Sequence, residues 1–506
     1  MSPKHTFIEF EMWLLIPSIL LICFFVKLFC NVLQTYTYWS DRGVPHLNLL
    51  RCFKNCTISL FRITPSADFF KDMYDEHKDK RYVGFYEYFQ PILLIKDPEL
   101  IKDITLKDFH SFEDHHNFVP SADLHSIWSK NLYSMSTQQG WNEMRAILTP
   151  FFTSSKLRAM FPSMKECCDN FLKSLHSNEG TKVVEIKNLI SRYTVDVIAK
   201  IGYGVTCNSF ENENNEFLKM SESLMNYTGL EGLTYLTYLT FPTVMKKLNI
   251  QPSRVRASVF FRKLFLDVAR MRDTNGTNLV SLLIKNGFLS GKSYSKLSLV
   301  EDDFVGHLLF LLIAAVETTA HVLAYIFYEL AENPKVQQKL YEELRRVLKE
   351  NNGSIDYQGI TSMKYLDNVV SECLRMHPVQ AAHDRKCTKP YIIKAKLPGE
   401  SDIHLKEGDW IWMPPEGVQK DPKYYIEPEK FDPDRFSAEN KHTINPFTFL
   451  TFGVGPRNCI GQRFALMEMK LIVAEVLQRY QLESCNFPNV ERYHDSKIWI
   501  RFISRS

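Results

Sequence analysis

The stretch FGVGPRNCIG at residues 452–461 holds one cysteine, Cys459, together with three glycines, a proline and an arginine. A disulfide needs a second cysteine and a zinc site needs several ligands, and this stretch offers a single sulfur. Glycine has no side chain, so its backbone can approach a large group closely. The stretch therefore indicates one sulfur beside a large chemical group. Other parts of the chain have to show which group that is.

Composition limits the classes of protein that the chain can belong to. Its 506 residues are 45% hydrophobic, and 61 Lys and Arg balance 58 Asp and Glu for a net charge of +3. Such a balance argues against nucleic acid as the main partner. The cysteines are scattered: Cys52 and Cys56 stand four apart, Cys167 and Cys168 are adjacent, and neither pair has a partner pair at zinc-site spacing. We therefore expect mostly reduced, buried cysteines, as in a chain that faces the cytosol.

The N-terminus predicts a membrane anchor. Residues 12–26 carry no charge, and the apolar run continues after Lys27 to residue 33. As a helix, residues 12–33 span about 30 Å, the thickness of a bilayer core. A cleaved signal peptide is the alternative, but Glu9 and Glu11 precede the run and no small-residue cleavage site follows it.

This interpretation predicts three parts. Residues 1–34 are the anchor, residues 35–50 are a Pro/Gly linker and residues 51–506 are the main domain. Basic residues lie on the C-terminal side of the apolar run, among them Arg42, Arg51 and Lys54, and they place the bulk of the chain in the cytosol.

Local patterns predict a mainly α protein with a minor β region. Aromatic and β-branched residues at 82–98, bounded by proline, predict a hairpin, and residues 183–204 are typical of a helix that ends at glycine. Residues 307–334 predict a long helix with a charge in its middle, so we interpret it as a central core helix and not as a membrane span. A helix over 461–480 puts Cys459 at a helix N-terminus, where the helix dipole favours a thiolate.

The opening stretch resembles the haem-binding signature F-x-x-G-x-R-x-C-x-G of the cytochrome P450 superfamily, with Phe452, Gly455, Arg457, Cys459 and Gly461 at the signature positions. The resemblance implies the cytochrome P450 fold behind a single N-terminal transmembrane helix. It also implies haem b as cofactor, bound by residues that include Phe452, with Cys459 as the axial ligand of the iron. A thiolate ligand pushes electron density onto haem iron and favours cleavage of the O–O bond.

Further motifs fit the same superfamily. Glu372 and Arg375 in ECLR, with Arg435 in FDPDRF, imply a buried Glu-Arg-Arg network. Trp141 and Arg145 in WNEMR, with Arg385 and Arg457, imply contacts to the haem propionates. The residues alone leave two alternatives, a solvated pair at i, i+3 and an ordinary core tryptophan beside an amphipathic arginine.

The stretch AAVETT at residues 314–319 resembles the oxygen-activation stretch of the superfamily. Glu317 and Thr318 would handle oxygen and protons, although a structural carboxylate at Glu317 is an alternative. Ala315 departs from the usual glycine, which leaves open the width of the groove beside it. Val379 and Thr451 are two smaller departures.

CTKPY and NPFTFLTFGVGPRNCIGQRFALMEMK are similar to microsomal insect members, most of all to the insect ninth family. This resemblance implies a monooxygenase that inserts one oxygen atom into an apolar small molecule, a xenobiotic or a lipid. Its electrons would come from NADPH through the flavoprotein NADPH–cytochrome P450 reductase, with cytochrome b5 as a second donor. The chain would sit in the endoplasmic reticulum membrane with its catalytic domain on the cytosolic face. Substrate contacts are expected after Phe112, at the start of the long helix and at residues 380–383.

Two other classes remain as alternatives. One is a haem-thiolate isomerase or dehydratase that rearranges peroxides without a reductase, although Glu317 and Thr318 argue against it. The other is a non-catalytic haem binder at the membrane. Two surface predictions complete the analysis: Lys156 and Arg158 on a reductase-docking face, and residues 232–244 at a membrane-facing substrate entrance.

Overall fold

The computed structural model describes residues 35–60, 66–115, 127–177, 179–225, 229–240, 242–248, 250, 253–271, 278–285, 301–485 and 497–505. The predicted anchor at residues 12–33 lies outside the described residues.

The described part of the chain is mainly helical, as predicted. Its helices are α1 Leu49–Leu60, α2 Ser66–Glu76, α3 Pro98–Lys102, α4 Trp141–Leu148, α5 Ser154–Leu175, α6 Ile186–Tyr203, α7 Glu216–Met225, α8 Gly229–Thr240, α9 Pro242–Lys247, α10 Ser253–Arg270, α11 Leu279–Lys285, α12 Glu301–Glu332, α13 Pro334–Glu350, α14 Tyr357–Ser362, α15 Lys364–Met376, α16 Pro415–Gln419 and α17 Gln462–Arg479. Short 3-10 turns connect several of them, for example Ile127–Ser129 and Pro433–Phe436.

The strands form three small sheets. They are β1 Tyr82–Glu87, β2 Gln90–Ile95, β3 Thr181–Glu185, β4 His383–Lys386, β5 Tyr391–Ile393, β6 Ile403–Leu405, β7 Trp410–Met413, β8 Tyr480–Ser484 and β9 Trp499–Ser504. One sheet has the order β1-β2-β7-β4, the second has the order β3-β9-β8, and the third pairs β5 with β6. β1 and β2 are antiparallel and form the predicted hairpin, whereas β2 and β7 are parallel.

The helix predicted over residues 183–204 is wrong at its beginning. Residues 183–185 belong to β3, which pairs antiparallel with the C-terminal strand β9. Glu185 then caps the N-terminus of α6, since its carboxylate accepts hydrogen bonds from the backbone N–H groups of Lys187 and Asn188. The helix ends at Gly204 in a left-handed conformation with φ 71°, as the sequence predicts. A partner strand far along the chain decides the start of this segment, and local periodicity does not show it.

Two hydrophobic cores support the fold, and the smaller one lies on the β1–β2 sheet. Trp39, Val44 and Leu47 are buried in it. A Cβ at Gly84 would lie 2.5 Å from the Trp39 ring, so glycine lets the ring press against β1. Residues of the segment predicted as a linker therefore pack onto the sheet.

Helix α12 runs through the larger core. Among the described residues it is the one helix long and apolar enough to cross a membrane, and 56% of its most apolar window is buried inside the protein. It packs against α6, α10, α15 and α17. The sequence predicts a core helix here, and the burial agrees with that interpretation. Pro334 begins α13, so the long helix ends just before it.

Candidate active site

Residues 452–461 form a tight loop directly before α17. The backbone N–H of Cys459 donates to the carbonyl oxygen of Phe452 over 2.8 Å and closes the loop. Gly453 and Gly455 adopt left-handed conformations with φ of 69° and 77°. A Cβ at Gly455 would lie 1.9 Å from the carbonyl oxygen of Thr105, so this position requires glycine.

Cys459 lies at the start of α17 with its side chain accessible to solvent, although protein surrounds it closely. Burial raises the pKa of the Cys459 thiol. The backbone N–H of Gly461, the guanidinium of Arg145 and the backbone N–H of Gln462 act in the opposite direction and lower that pKa. The helix N-terminus therefore directs hydrogen-bond donors at the sulfur, as the sequence predicts for a helix that begins here.

Arg457 is buried against Trp141, with its guanidinium carbon 3.9 Å from the centre of the indole ring. It donates to the carbonyl oxygens of Glu113 over 2.7 Å and Met135 over 2.9 Å. Burial lowers the pKa of Arg457 to about 9. Trp141 and Arg457 thus form one packed unit that holds the Cys459 loop against the chain on both sides of residues 116–126, although the sequence pairs Trp141 with Arg145.

Arg145 also holds the Cys459 loop. Its two terminal nitrogens donate to Asn458, to the carbonyl oxygen over 2.7 Å and to Oδ1 over 2.8 Å. This fork-like contact places a cation next to the cysteine.

Arg385 lies on β4, with Nη1 donating to the carbonyl oxygen of Asp384 over 2.7 Å. Its Nε is a buried donor that has no hydrogen-bond partner among the described residues. Burial lowers the pKa of Arg385. A buried guanidinium with an unpartnered donor fits an anionic acceptor such as a carboxylate.

Glu372, Arg375 and Arg435 form one network. Arg375 donates from Nε to Glu372 Oε2 over 2.8 Å and from Nη2 to Oε1 over 2.9 Å, and both residues are fully buried. Arg435 donates from Nε to the same Oε1 over 3.2 Å. Arg375 also donates to the carbonyl oxygens of Gln419 and Pro428, so the network joins α15 to the segment before the Cys459 loop.

Glu317 and Thr318 lie half-buried in the middle of α12, which stays helical through this region. The Thr318 hydroxyl donates to the carbonyl oxygen of Ala314 over 2.5 Å. Such a bond to the preceding turn is one way in which a threonine in the middle of a helix engages the backbone locally.

Sequence reasoning assigned no role to two residues of this region. Gln419 links α15 to the segment just before the Cys459 loop. Its Nε2 donates to the carbonyl oxygen of Arg375, and its Oε1 accepts from the backbone N–H of Leu450. Thr451, one of the departures from the superfamily pattern, donates to the carbonyl oxygen of Leu374 over 2.9 Å. Its polarity was a signal that this position bonds to a neighbouring element.

The comparisons with known proteins give the class. The sequence model of the cytochrome P450 family matches residues 56–499, so the chain belongs to the cytochrome P450 family. It is 38% identical over 490 residues to cytochrome P450 9e2 of Blattella germanica, with 91% of each chain covered. It is 35% identical over 462 residues to probable cytochrome P450 9f2 of Drosophila melanogaster, covering 88% of this chain and 89% of that one. It is also 33% identical over 410 residues to cytochrome P450 3A18 of Rattus norvegicus, covering 79% and 80%.

These matches confirm the predicted superfamily and the predicted similarity to the insect ninth family. The chain is a haem-thiolate monooxygenase, whose haem has a cysteine thiolate ligand. A redox-partner reductase supplies its electrons from NADPH, and its substrate is a small molecule.

The residues present fit a haem. Glycines at 453 and 455 leave backbone open to close approach, the Cys459 side chain is accessible, and Arg385 has a buried, unpartnered Nε; together they would suit a flat macrocycle with a thiolate ligand and carboxylate groups.

Proposed function

We propose that Cys459 is the axial ligand of the haem iron and that the chain oxidises apolar small molecules, xenobiotics or lipids. The observation that carries the assignment is the loop itself, which presents one accessible sulfur at the N-terminus of α17. Metal binding deprotonates a coordinating thiol, and the N–H groups of Gly461 and Gln462 then stabilise the anion.

Four side chains would hold the edge of the haem. Arg385 offers its unpartnered Nε to a propionate, and Arg457, Arg145 and Trp141 lie around the Cys459 loop. Phe452 is partly buried at the beginning of the same loop, where its ring can pack against the macrocycle. Charge-assisted bonds from several donors to two carboxylates would orient the cofactor.

The haem, when bound, supplies the iron at which dioxygen is activated. Glu317 and Thr318 would handle the protons that this chemistry consumes. The Thr318 hydroxyl now donates to Ala314, and rotation about its side chain would let it donate toward the oxygen instead. The carboxylate of Glu317, one residue away on the same half-buried stretch, can take up a proton and pass it on.

The electron donor that we propose is NADPH–cytochrome P450 reductase, with cytochrome b5 as a second donor. Arg158 is exposed on α5 and lies over the ring of Tyr357 at 5.2 Å, and Lys156 is partly exposed beside it. Basic side chains on one helix suit an acidic electron-transfer partner, because complementary charge raises the rate of encounter.

We further propose that the chain is anchored in the endoplasmic reticulum membrane, with its catalytic domain in the cytosol. Exposed apolar side chains on and around α8 and α9 support a second contact with lipid. Leu230 is 79% exposed and Leu248 is 62% exposed, and Leu233 and Val244 are exposed as well. The side chains of Tyr235, Tyr238 and Phe241, which the sequence predicts at this membrane contact, lie outside the described residues.

The test of this function uses the purified full chain with haem, in detergent. Wild-type protein should show the carbon monoxide difference spectrum of a thiolate-ligated haem, and Cys459→Ser should lose it. With reductase and NADPH, wild type should form oxygenated product from a panel of plant toxins, insecticides and lipids. Retention of the thiolate spectrum in Cys459→Ser would contradict the ligand assignment, and reductase-independent turnover of peroxides would favour an isomerase.

A further inference from the structure

His115 lies beside β4, and several contacts fix its position. Its Nδ1 lies 3.1 Å from Oδ1 of Asp384, and its ring stacks on that of Tyr133 with centroids 4.1 Å apart and planes 17° apart. The residue before it, Asp114, accepts at its carbonyl oxygen a hydrogen bond from the backbone N–H of Lys386 over 2.8 Å. The side chain of His115 is only 9% exposed, so a charge on its ring acts in a medium of low dielectric constant.

The hydrogen bonds of His115 decide which ring nitrogen can titrate. Besides the contact with Asp384, Nδ1 lies 3.5 Å from Nη1 of Arg385. A carboxylate accepts and a guanidinium donates, so Nδ1 can bond to Asp384 only with a hydrogen and to Arg385 only without one. The shorter contact, to Asp384, places the hydrogen on Nδ1. Nε2 is then the nitrogen that gains or loses a proton.

Asp384 supplies the negative charge that stabilises a protonated His115. Its Oδ1 also accepts from the hydroxyl of Tyr133 over 2.7 Å. Burial raises the pKa of Tyr133 well above its ordinary value, so the hydroxyl stays a donor. Burial lowers the pKa of His115, whereas the charge and the hydrogen bond of Asp384 act to raise it. Because these effects oppose each other, a further charge nearby can decide whether the ring binds a proton.

Other charged and titratable groups act on this cluster from the elements packed against it. Arg385 and Arg457 lower the pKa of His115 through their like charge. His383 on β4 has a pKa of about 4, so it is neutral at pH 7. Burial raises the pKa of Glu87 on β1 to about 6. Glu87 therefore titrates near the ordinary range of histidine, and an experiment has to separate the two groups.

His115 also lies beside both arginines that the proposed function places at the haem edge. Arg385 is 3.5 Å away and has a buried Nε without a hydrogen-bond partner among the described residues. Arg457 holds the two residues before His115, since its Nε donates to the carbonyl oxygen of Glu113 over 2.7 Å and its Nη2 donates to Oδ1 of Asp114 over 3.4 Å. If these arginines bind the haem carboxylates, a charge on His115 acts on the electron that enters the haem.

We propose that His115 takes up a proton at Nε2 when the haem is reduced, so that its protonation couples the reduction potential to pH. One electron enters from the reductase and one proton enters from solvent, which leaves the net charge of the site unchanged. Asp384 and Tyr133 are positioning residues, because they hold the ring and its Nδ1 hydrogen. The inference rests on the proposed function, in which Cys459 and the two arginines bind the haem.

The test measures the reduction potential of the full chain with haem, in detergent, by spectroelectrochemical titration between about pH 5 and 8. A protonated ring stabilises the added electron, so the wild-type potential should be higher in acid and fall as the pH rises. The fall should reach at most about 59 mV per pH unit, which is a tenfold change in proton concentration converted for one electron.

Two substitutions fix the charge at residue 115. His115→Arg carries a permanent positive charge, and His115→Gln carries none. Both variants should lose the part of the slope that comes from this position. The potential of His115→Arg should lie near the acid value of wild type, and that of His115→Gln should lie near its alkaline value.

Two further variants separate His115 from its neighbours. Glu87→Gln removes the carboxyl group that titrates in the same range, and it should keep the wild-type slope. Tyr133→Phe removes one donor to Asp384, so the carboxylate acts more strongly on His115 and the slope should move to higher pH. A ring that only supports packing would leave the pH dependence unchanged in all four variants.

The outcomes are separable. Equal slopes in wild type, His115→Arg and His115→Gln, with normal carbon monoxide spectra, would overturn the proposal, and so would a slope that disappears in Glu87→Gln. If His115→Arg does not bind haem, the comparison of wild type with His115→Gln decides. A wild-type carbon monoxide spectrum without thiolate character would show instead that the proposed function has failed.

Discussion

At the scale of single residues, the site depends on positions where only one residue type fits. Gly455 combines a φ of 77° with a Cβ position 1.9 Å from the Thr105 carbonyl oxygen. Arg385 is buried with an unpartnered Nε, which an anionic cofactor would satisfy. The buried, unpartnered Nε of Arg385 costs stability by itself, so it indicates a function for the residues around Cys459.

Gly455→Ala should lose most haem. The added methyl group must displace the segment at Thr105, whereas the conformational strain of alanine at this φ costs only about 1–2 kcal/mol. The measurement is haem content per chain, with thermal unfolding alongside. Gly399→Ala is the control, because Gly399 has a φ of 81° and no atom within 4 Å of the added Cβ. Equal haem loss in both variants would show that backbone strain causes the loss and that the contact with Thr105 does not.

The Thr318→Ala variant should keep a normal haem spectrum, but a smaller share of the NADPH that it consumes should lead to oxygenated product. It removes the hydroxyl that we propose for proton transfer, while the lost bond to Ala314 costs only about 1 kcal/mol. The measurement is the ratio of product formed to NADPH consumed, with hydrogen peroxide measured as the diverted product. Thr361→Ala is the control, since Thr361 makes the same bond to Tyr357 four residues before it in α14.

Ala315→Gly belongs to the same experiment. It should leave the coupling ratio equal or higher, at about 0.5–1 kcal/mol of helix stability, because glycine widens the groove and weakens the helix. If the Thr318→Ala variant forms as much product per NADPH as wild type, the stretch at residues 314–319 has a structural role only.

Because of His383, we expect the free energy of unfolding to fall in acid. Burial lowers its pKa to about 4 from 6.5, and its Nε2 donates to the carbonyl oxygen of Leu450 over 2.6 Å. The unfolded chain binds the proton more readily than the fold does. Stability is therefore fully present above pH 6.5 and falls as pH drops toward 4, at up to about 1.4 kcal/mol per unit. Urea unfolding at several pH values measures this slope.

His383→Gln should flatten that slope, because glutamine does not titrate. The exposed His404 provides the comparison, and His404→Gln should leave the slope unchanged. If wild type and His383→Gln show the same slope, the pH dependence of stability does not come from His383.

At the scale of elements, a buried ionic network joins α15 to the turn at Pro433–Phe436. Both Glu372 and Arg375 are fully buried, and Arg435 reaches the same carboxylate from the turn. A local i, i+3 pair thus becomes a connection between elements that lie far apart in the chain.

Glu372→Gln should destabilise the fold by about 3–5 kcal/mol, because it leaves two arginines beside a neutral amide. Chemical denaturation measures the change, and haem content should fall with it. Glu76→Gln is the matched control, since Arg51 binds Glu76 through two hydrogen bonds on an exposed surface. That change should cost less than about 1 kcal/mol. Similar losses in the two variants would mean that burial of the network adds nothing.

At the scale of the whole molecule, the fold must present a surface to its electron donor. The double variant Lys156→Glu and Arg158→Glu should slow the first electron transfer from reductase at low salt, because association depends on complementary charge. The ferrous carbon monoxide spectrum should stay normal. Stopped-flow reduction at two salt concentrations provides the measurement, with the exposed Lys396→Glu near β5 as control. Unchanged reduction kinetics would place the docking surface elsewhere.

The sequence by itself determined the family and the positions around the candidate site. Local motifs carry this information: the glycines and Cys459 specify a backbone conformation within ten residues, and the spacing of Glu372 and Arg375 specifies one helix face. The hairpin, the long core helix and the helix after Cys459 follow equally from local periodicity.

The tertiary structure decided what depends on contacts between distant segments. Residues 183–185 are a strand because β9 pairs with them, and Trp39 is buried because Gly84 admits its ring. In the sequence Gly306 is an ordinary helix residue, but in the structure the backbone carbonyl oxygens of Ile127 and Lys130 lie directly against it. Local patterns encode short-range conformation, whereas close approach between segments depends on how the whole chain packs, and that packing has no signature within a single stretch.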